Sequence, residues 1–366
     1  MKVLVAGGGT GGHLFPGIAV AEELIARGHE VRFVGTARGI EARVCPKEGY
    51  ALDLIDVAGL KGSGALGLLR GLVRVPRAIF QSFAILRREK PDLVIGVGGY
   101  ASGPVVLAAA LSGRPTAILE QNSVPGITNR ILGKLVRAVF GAFEGARRYF
   151  PYTKYRLVGN PVRRKVRQRL AAGDGGERRG LLVVGGSQGA HAVNERVCEA
   201  MKRLALDGKA PPIVHQTGET DREPIARRYA EANIAADVRA FIDDMGAAYR
   251  AAELAVTRAG ASTLAELTAL GVPAILIPFP FAADDHQSMN ALELEKKGAA
   301  KIVRQDEPAE ALAAAISELL SDGARRAQMA EAARAAGRPE AHAEIADALE
   351  ALAVPTRRLP AAPRVG

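Results

Sequence analysis

The residues best placed to do chemistry in this sequence lie on glycine-rich turns. Gly7-Gly8-Gly9-Thr10-Gly11-Gly12-His13 follows the apolar run Val3–Ala6, and Gly185-Gly186-Ser187-Gln188-Gly189-Ala190-His191 follows Leu181–Val184. Aligned over eleven residues, the two openings share six identities at a spacing of 178. Each reads as a strand, a glycine turn and a helix start, where free N–H groups and the helix dipole suit a phosphate. Residues 254–266 (LAVTRAGASTLAE) repeat the plan, with a helix expected to begin near Ser262 or Thr263. Glu266, one turn in, is placed to accept both hydroxyls of a ribose. It would equally close a Thr263-x-x-Glu266 capping box. Arg258 before the turn reads either as a phosphate partner or as half of a surface ion pair. Further on, Asp284-Asp285-His286-Gln287 opens another helix with groups suited to sugar hydroxyls, or simply with an aspartate cap. No third ligand at a defined spacing joins that Asp-Asp-His run, so no metal and no cofactor are expected.

His13 is the candidate general base, since an imidazole accepts a proton near neutral pH. Its alternative role is a hydrogen bond at the helix start, and for His191 that structural role is the expected one. Gly7-x-Gly9-x-x-Gly12 also satisfies the dinucleotide fingerprint. The second strand, however, ends Val34-Gly35-Thr36-Ala37-Arg38 without the acid that would hold a ribose, leaving an NADP reductase, with Arg38 on the 2′-phosphate, as the surviving form of that reading.

These turns need strands and helices to aim them. Apolar runs at Val31–Val34, Leu93–Val97, Thr116–Leu119, Ile213–Gln216, Leu254–Thr257 and Ala274–Ile277 alternate with Ala-, Leu-, Glu- and Arg-rich helical stretches. That alternation predicts α/β architecture: two Rossmann-like, doubly wound parallel-sheet domains facing a cleft. Residues 1–158 are expected to form the first, 159–340 the second, and 341–366 a C-terminal segment packing back on the first. The length of 366 residues fits two such domains. Hydrophobic residues at 48% and charged residues at 24% exclude a disordered chain or a coiled coil. Two cysteines, Cys45 and Cys198, are too few for a disulfide framework and suit a reducing cytoplasm. No signal peptide or membrane-spanning run is read from the sequence. Charge is uneven. Residues 1–158 hold 21 Lys and Arg against 11 Asp and Glu, whereas 159–366 hold 28 of each. The excess of ten in the first half points to an anionic partner such as nucleic acid or an acidic membrane.

Taken together these segments resemble the MurG family of peptidoglycan synthesis, from Val3 to about Ala300. The resemblance rests on GGGTGGHLFPGIAVA (7–21), GGYASGP (98–104), EQNSVPGITNR (120–130), GNPVR (159–163), GGSQGA (185–190), FIDDM (241–245), TRAGASTLAE (257–266) and DDHQSMNA (284–291). It implies a GT-B fold and inverting transfer of N-acetylglucosamine from UDP-N-acetylglucosamine to the muramyl 4-hydroxyl of lipid I, giving lipid II. It also implies that Thr10, Gly11, Gly12, Asn122, Arg163, Ser187 and Gln287 contact the donor. Ile242 would bind uracil through its backbone, and Ala261, Ser262, Thr263, Leu264, Ala265 and Glu266 would hold the diphosphate and ribose. Asn129 and Arg130 would lie on the acceptor side. Glu120 is the second candidate base or the orienter of His13. Two positions depart from the family pattern: Leu119 stands where a His often precedes Glu-Gln-Asn, and His286 where Gln is common.

A polyprenyl-linked acceptor turns the charge asymmetry toward an anionic membrane rather than nucleic acid, with peripheral residence on the cytoplasmic face of the inner membrane. Residues 66–83 (LGLLRGLVRVPRAIFQSF) offer a basic, apolar helix with Arg70, Arg74 and Arg77 on one face, Pro76 being expected to break or kink it. The same pattern would fit an ordinary crossover helix packed on the sheet. The alternative functions are another nucleotide-sugar GT-B enzyme, either a lipid glycosyltransferase or a UDP-sugar epimerase, and a catalytically silent membrane-binding module.

Overall fold

The computed structural model describes residues 1–57, 64–171, 178–186 and 189–354, and for 64–74 and 171 the backbone alone. In the first half the elements run Lys2–Gly7 (β1), Gly11–Ala26 (α1), Glu30–Gly35 (β2), Glu41–Lys47 (α2), Leu52–Leu54 (β3), Gly64–Glu89 (α3), Leu93–Gly98 (β4), Ser102–Leu111 (α4), Thr116–Glu120 (β5), Ile127–Leu135 (α5), Ala138–Gly141 (β6) and Tyr155–Leu157 (β7). The second half begins with Arg164–Ala171 (α6), Leu181–Val184 (β8), His191–Leu206 (α7), Ile213–Gln216 (β9), Arg222–Glu231 (α8), Ala236–Arg239 (β10), Met245–Ala251 (α9) and Leu254–Thr257 (β11). It continues with Ala261–Leu270 (α10), Ala274–Leu276 (β12), His286–Lys296 (α11), Ala300–Ile302 (β13), Ala309–Ser321 (α12), Gly323–Ala336 (α13) and Ala341–Ala353 (α14).

Every described strand pair is parallel, in two sheets ordered β3-β2-β1-β4-β5-β6-β7 and β10-β9-β8-β11-β12-β13. β1, β4 and β5 are apolar along nearly their whole length because helices cover both faces of the sheet. Strand order reverses between β1 and β4 and again between β8 and β11. Ligands of open parallel sheets bind at such reversals, beyond the carboxyl ends of the strands. The glycine turns fall at those two places.

α14 does not stay with the second sheet. Its Ile345, Ala346 and Leu349 are buried in one cluster with Val3, Val20 and Leu24 of the first. The boundary helix α6 also reaches across, with Arg164 and Arg167 each 3.5 Å from Glu22 of α1.

The expected break at Pro76 does not occur: α3 continues through it to Glu89. Proline forfeits one backbone bond and crowds one carbonyl, and a 26-residue helix packed along α4 keeps the rest. In its described part Ala78, Ser82, Ile85 and Leu86 face inward, while Phe80 is 75% exposed and Phe83 37%. The side chains of Arg70 and Arg74 lie outside the described residues. Arg77 is exposed, 3.8 Å from Asp56.

Candidate active site

At the first reversal two turns interlock. Gly98 and Gly99 end β4 with φ of +94° and +79°. A Cβ on Gly99 would lie 2.1 Å from the Gly8 carbonyl oxygen, and one on Gly98 would lie 2.4 Å from Cδ2 of His13. Only glycine permits both this backbone and this approach, and the contact sets the His13 ring at the mouth of α1. Thr10 is the N-cap of α1, yet its hydroxyl makes no cap bond and lies 3.2 Å from Nδ1 of His13 instead. The N–H groups of Gly11 and Gly12, in the first turn of α1, are therefore left without an intrahelical or capping partner.

The buried carboxylate of Glu41 was not legible as part of this loop. It accepts from the Gly9 N–H at 2.6 Å and from the Thr36 N–H and hydroxyl at 2.8 and 3.0 Å. A carboxylate at the glycine turn repels a dinucleotide pyrophosphate and occupies one of its donors, which removes the reductase reading. The one available sequence signal was an acid a few residues beyond the second strand.

Burial, reinforced by the charge of His286 from the second half, holds the His13 imidazole below its ordinary pKa, against a smaller opposing pull from Glu41. The ring is thus a neutral acceptor at pH 7. Glu120 ends β5, fully buried. Its Oε1 accepts from the Asn122 N–H at 3.0 Å and its Oε2 from Asn129 Nδ2 at 2.8 Å. Thr10, rather than Glu120, is the described partner of the His13 ring. Burial pushes the Glu120 carboxyl up to about 7 despite those hydrogen bonds. The folded chain thus keeps this proton to about pH 7, whereas the unperturbed carboxyl loses it at 4.5. The corresponding stability is full below pH 4.5 and declines as pH rises toward 7. Glu120→Gln should abolish this decline, worth roughly 3 kcal/mol at most. Urea unfolding at pH 4.5 and 8 reads it, and an unchanged difference between the two would place the proton elsewhere.

In the second half α10 starts at Ala261 with Gly260 as N-cap and no side-chain cap. Glu266 therefore sits in the second turn, too far along to close a capping box, and that expectation fails. Its carboxylate instead receives a two-pronged ion pair from Arg163, Nε to Oε1 at 2.6 Å and a terminal nitrogen to Oε2 at 2.9 Å. The Arg163 guanidinium also lies 5.5 Å from the ring of Phe15 in α1, so this donor-side pair touches the first half. Ser262 Oγ is buried at the open helix start with no hydrogen-bond partner among the described residues. A group of that kind awaits an acceptor. Thr263, Leu264 and Ala265 complete the first turn and a half of α10.

Arg258 is not turned to that helix start. Its guanidinium donates to the carbonyls of Ile277 and Pro278, both at 3.1 Å, and to Gln305 at 2.6 Å, and burial lowers its pKa to about 10. It braces the loop after β12 and forms no ion pair among the described residues. That loop carries Asp284 and Asp285 with φ of 54° and 52°, a left-handed backbone that non-glycine residues adopt at a cost. Neither aspartate side chain caps α11. His286 donates from Nδ1–H to the Ala283 carbonyl at 2.7 Å, and Gln287 Oε1 accepts from the Phe279 N–H at 3.1 Å.

Ile242 is buried, and its N–H donates to Gln216 Oε1 at 3.2 Å while Gln216 Nε2 donates to the Gly186 carbonyl. Gln216, unremarked in the sequence, thus spans the end of the site where a base is expected. Ser187 lies outside the described residues. Also missed was Asn290, fully buried. It accepts from the Ser123 N–H at 2.8 Å and donates to Asn122 Oδ1 at 3.1 Å and the Ala259 carbonyl at 3.3 Å. It joins the first half's 122–123 loop to the turn that opens α10.

Two doubly wound domains, each with an open helix start at its strand-order reversal, define the GT-B architecture. Residues 3–141 match the N-terminal domain model of glycosyltransferase family 28, and 180–347 its C-terminal domain model. A Myxococcus xanthus protein named UDP-N-acetylglucosamine–N-acetylmuramyl-(pentapeptide) pyrophosphoryl-undecaprenol N-acetylglucosamine transferase is 54% identical over 360 residues, 97% of this chain and 94% of that one. A Geobacter sulfurreducens protein of the same name is 49% identical over 96% of this chain and 98% of that one. The crystal structure of Acinetobacter baumannii MurG superposes with a TM-score of 0.79 at 34% identity, covering 96% of this chain and 99% of that one. The chain belongs to the MurG family.

Proposed function

We propose that this chain transfers N-acetylglucosamine, with inversion, from UDP-N-acetylglucosamine to the muramyl 4-hydroxyl of lipid I, forming lipid II. The observation that carries this is the 54% identity, over nearly the whole of both chains, to a relative bearing that enzyme's name. Identity of that extent favours the transferase over the epimerase and over a silent membrane module. Residues 1–158 serve the acceptor and 159–340 the donor; of the expected 341–366 segment, α14 returns to the first domain and 355–366 lie outside the described residues.

The residue roles on this reading are these. His13, held neutral, takes the proton of the attacking hydroxyl. The departing UDP diphosphate is met by the N–H groups opening α10, by Ser262 Oγ and by Ser187. Glu266 keeps one edge on Arg163 while accepting the ribose hydroxyls, and Ile242 offers its backbone to uracil. Thr10, Gly11, Gly12, Asn122, His286 and Gln287 contact the donor, and Asn129 lies toward the acceptor. Inversion requires that the hydroxyl attack opposite the departing diphosphate. Incubation with radiolabelled UDP-N-acetylglucosamine and a short-chain lipid I analogue tests the reading. Label in the lipid fraction is expected. Label recovered solely as a free sugar isomer would replace it with epimerisation.

Among the described residues no helix is long and apolar enough to cross a membrane. The chain resides, on this reading, at the cytoplasmic face of the inner membrane, held peripherally through the first domain. Besides Phe80, Leu111 (67% exposed), Ile127 (68%), Ile131 (58%) and Tyr152 (77%) present apolar surface there. Leu111 ends α4, Ile127 and Ile131 lie on α5, and Tyr152 precedes β7; α4 packs on both α3 and α5. Arg130 and Arg148 flank them, each over the ring of Tyr149. Basic residues at an anionic surface contribute about 1 kcal/mol each. Sedimentation with anionic vesicles should occur at low salt and weaken at high salt. Arg70, Arg74 and Arg77 changed together to Glu should weaken it strongly without altering UDP affinity. A triple variant that sediments like the parent would move the membrane face away from α3.

A further inference from the structure

The roles above leave open what keeps the two domains in register. α11 belongs to the second domain, and its successive turns meet different things. His286 and Gln287 open it on the donor side, and Asn290, one turn on, holds the 122–123 loop. Glu293, a further three residues along the same face, reaches the first domain again. Its Oε1 accepts from Ser123 Oγ at 2.5 Å and from the Gly145 N–H at 2.9 Å. Any Cβ at position 145 would stand 2.5 Å from that same oxygen, so the close approach depends on glycine there. Ser123 and Gly145 follow β5 and β6, neighbouring strands of the first sheet, so one carboxylate oxygen fastens two separate loops.

We propose that Glu293 is a positioning residue, an interdomain latch that holds the 120–123 loop against the donor helices. α11 runs unbroken from its first turn through this contact. Register between the donor sugar and the acceptor-side loop is therefore set by one helix. Glu293 touches neither substrate on this reading. Its loss misaligns the reacting groups without dismantling the UDP site, which lies within the second domain. A misplacement of about 1 Å between reacting groups lowers rate by about 100-fold.

The kinetic consequence rests on the proposed transferase activity, whereas the latch itself does not, and the experiment separates them. Glu293→Ala should lower kcat about 10- to 100-fold with UDP affinity by calorimetry unchanged. Glu293→Gln retains an amide oxygen able to accept from both donors and should restore most of the turnover. Ser123→Ala should give a smaller loss, and adding it to Glu293→Ala should change little more, as expected for two residues acting through one contact. Hydrogen exchange of the peptide around Gly145 should accelerate in Glu293→Ala and not in Glu293→Gln. Parental turnover in Glu293→Ala, an equal fall in UDP affinity, or full additivity with Ser123→Ala would each overturn the proposal. If the parent showed no transferase activity, the transferase reading would fail, and unchanged exchange at Gly145 would then refute the latch independently.

Discussion

Turnover of the His13→Ala variant is expected to fall by about 10²–10⁴-fold, the usual contribution of a positioned general base. Two features of its surroundings make the loss specific. The ring is fixed by the Gly98 turn and by Thr10, so no neighbouring group slides into its place. Its pKa lies below the ordinary 6.5 because burial and the charge of His286 both oppose protonation. The base form therefore predominates at and above neutral pH, and kcat/KM for the parent should fall only as pH drops through that lowered pKa. UDP affinity should survive, because His13 sits in the first domain. The measurement is single-turnover transfer across pH 5–9 in parent and variant. A variant keeping more than about a tenth of parental turnover, with chemistry limiting, would remove His13 from the role.

How much of this could be read beforehand differs between the sheets and the site. Strands with both faces covered are continuous apolar runs followed by glycine turns, so β1, β4, β8 and β11 were visible, whereas the strand-order reversals they flank were not. What escaped the sequence depends on long-range partners. Glu41 looks like any first-turn acid of a helix until the backbone turns of 7–9 and 35–39 are seen packed around it. Asn290 and Glu293 read as the polar face of α11, because their partners at 122–123 and 145 lie well over a hundred residues away. For Arg258 the position beside a phosphate-type turn was legible, but its bonds to the carbonyls of 277 and 278 were not. The capping-box reading of 263–266 failed through a helix boundary set by Gly260, only a residue or two earlier than expected.

That boundary changes the outcome expected for Glu266→Ala. With no cap to lose, the variant loses the partner of Arg163 and, on the proposed reading, both ribose hydrogen bonds. Removing one member of a largely buried pair costs several kcal/mol when both groups are fully enclosed. The Arg163 side chain is 32% exposed, so solvent screening reduces the expected stability loss to about 1–3 kcal/mol. Arg163→Ala should destabilise at least as much, since it strands the more deeply buried carboxylate. Donor affinity supplies the second readout. Two charge-assisted bonds to ribose are worth about 1.5–3 kcal/mol together, so UDP should bind roughly ten- to a hundred-fold more weakly to folded Glu266→Ala. Calorimetry with UDP and with 2′-deoxy-UDP separates ribose recognition from a loosened site. The parent should discriminate against the deoxy nucleotide, and Glu266→Ala should bind the two alike. If the variant still prefers UDP to 2′-deoxy-UDP by the parental ratio, the ribose is held elsewhere and the Arg163–Glu266 pair serves the fold alone.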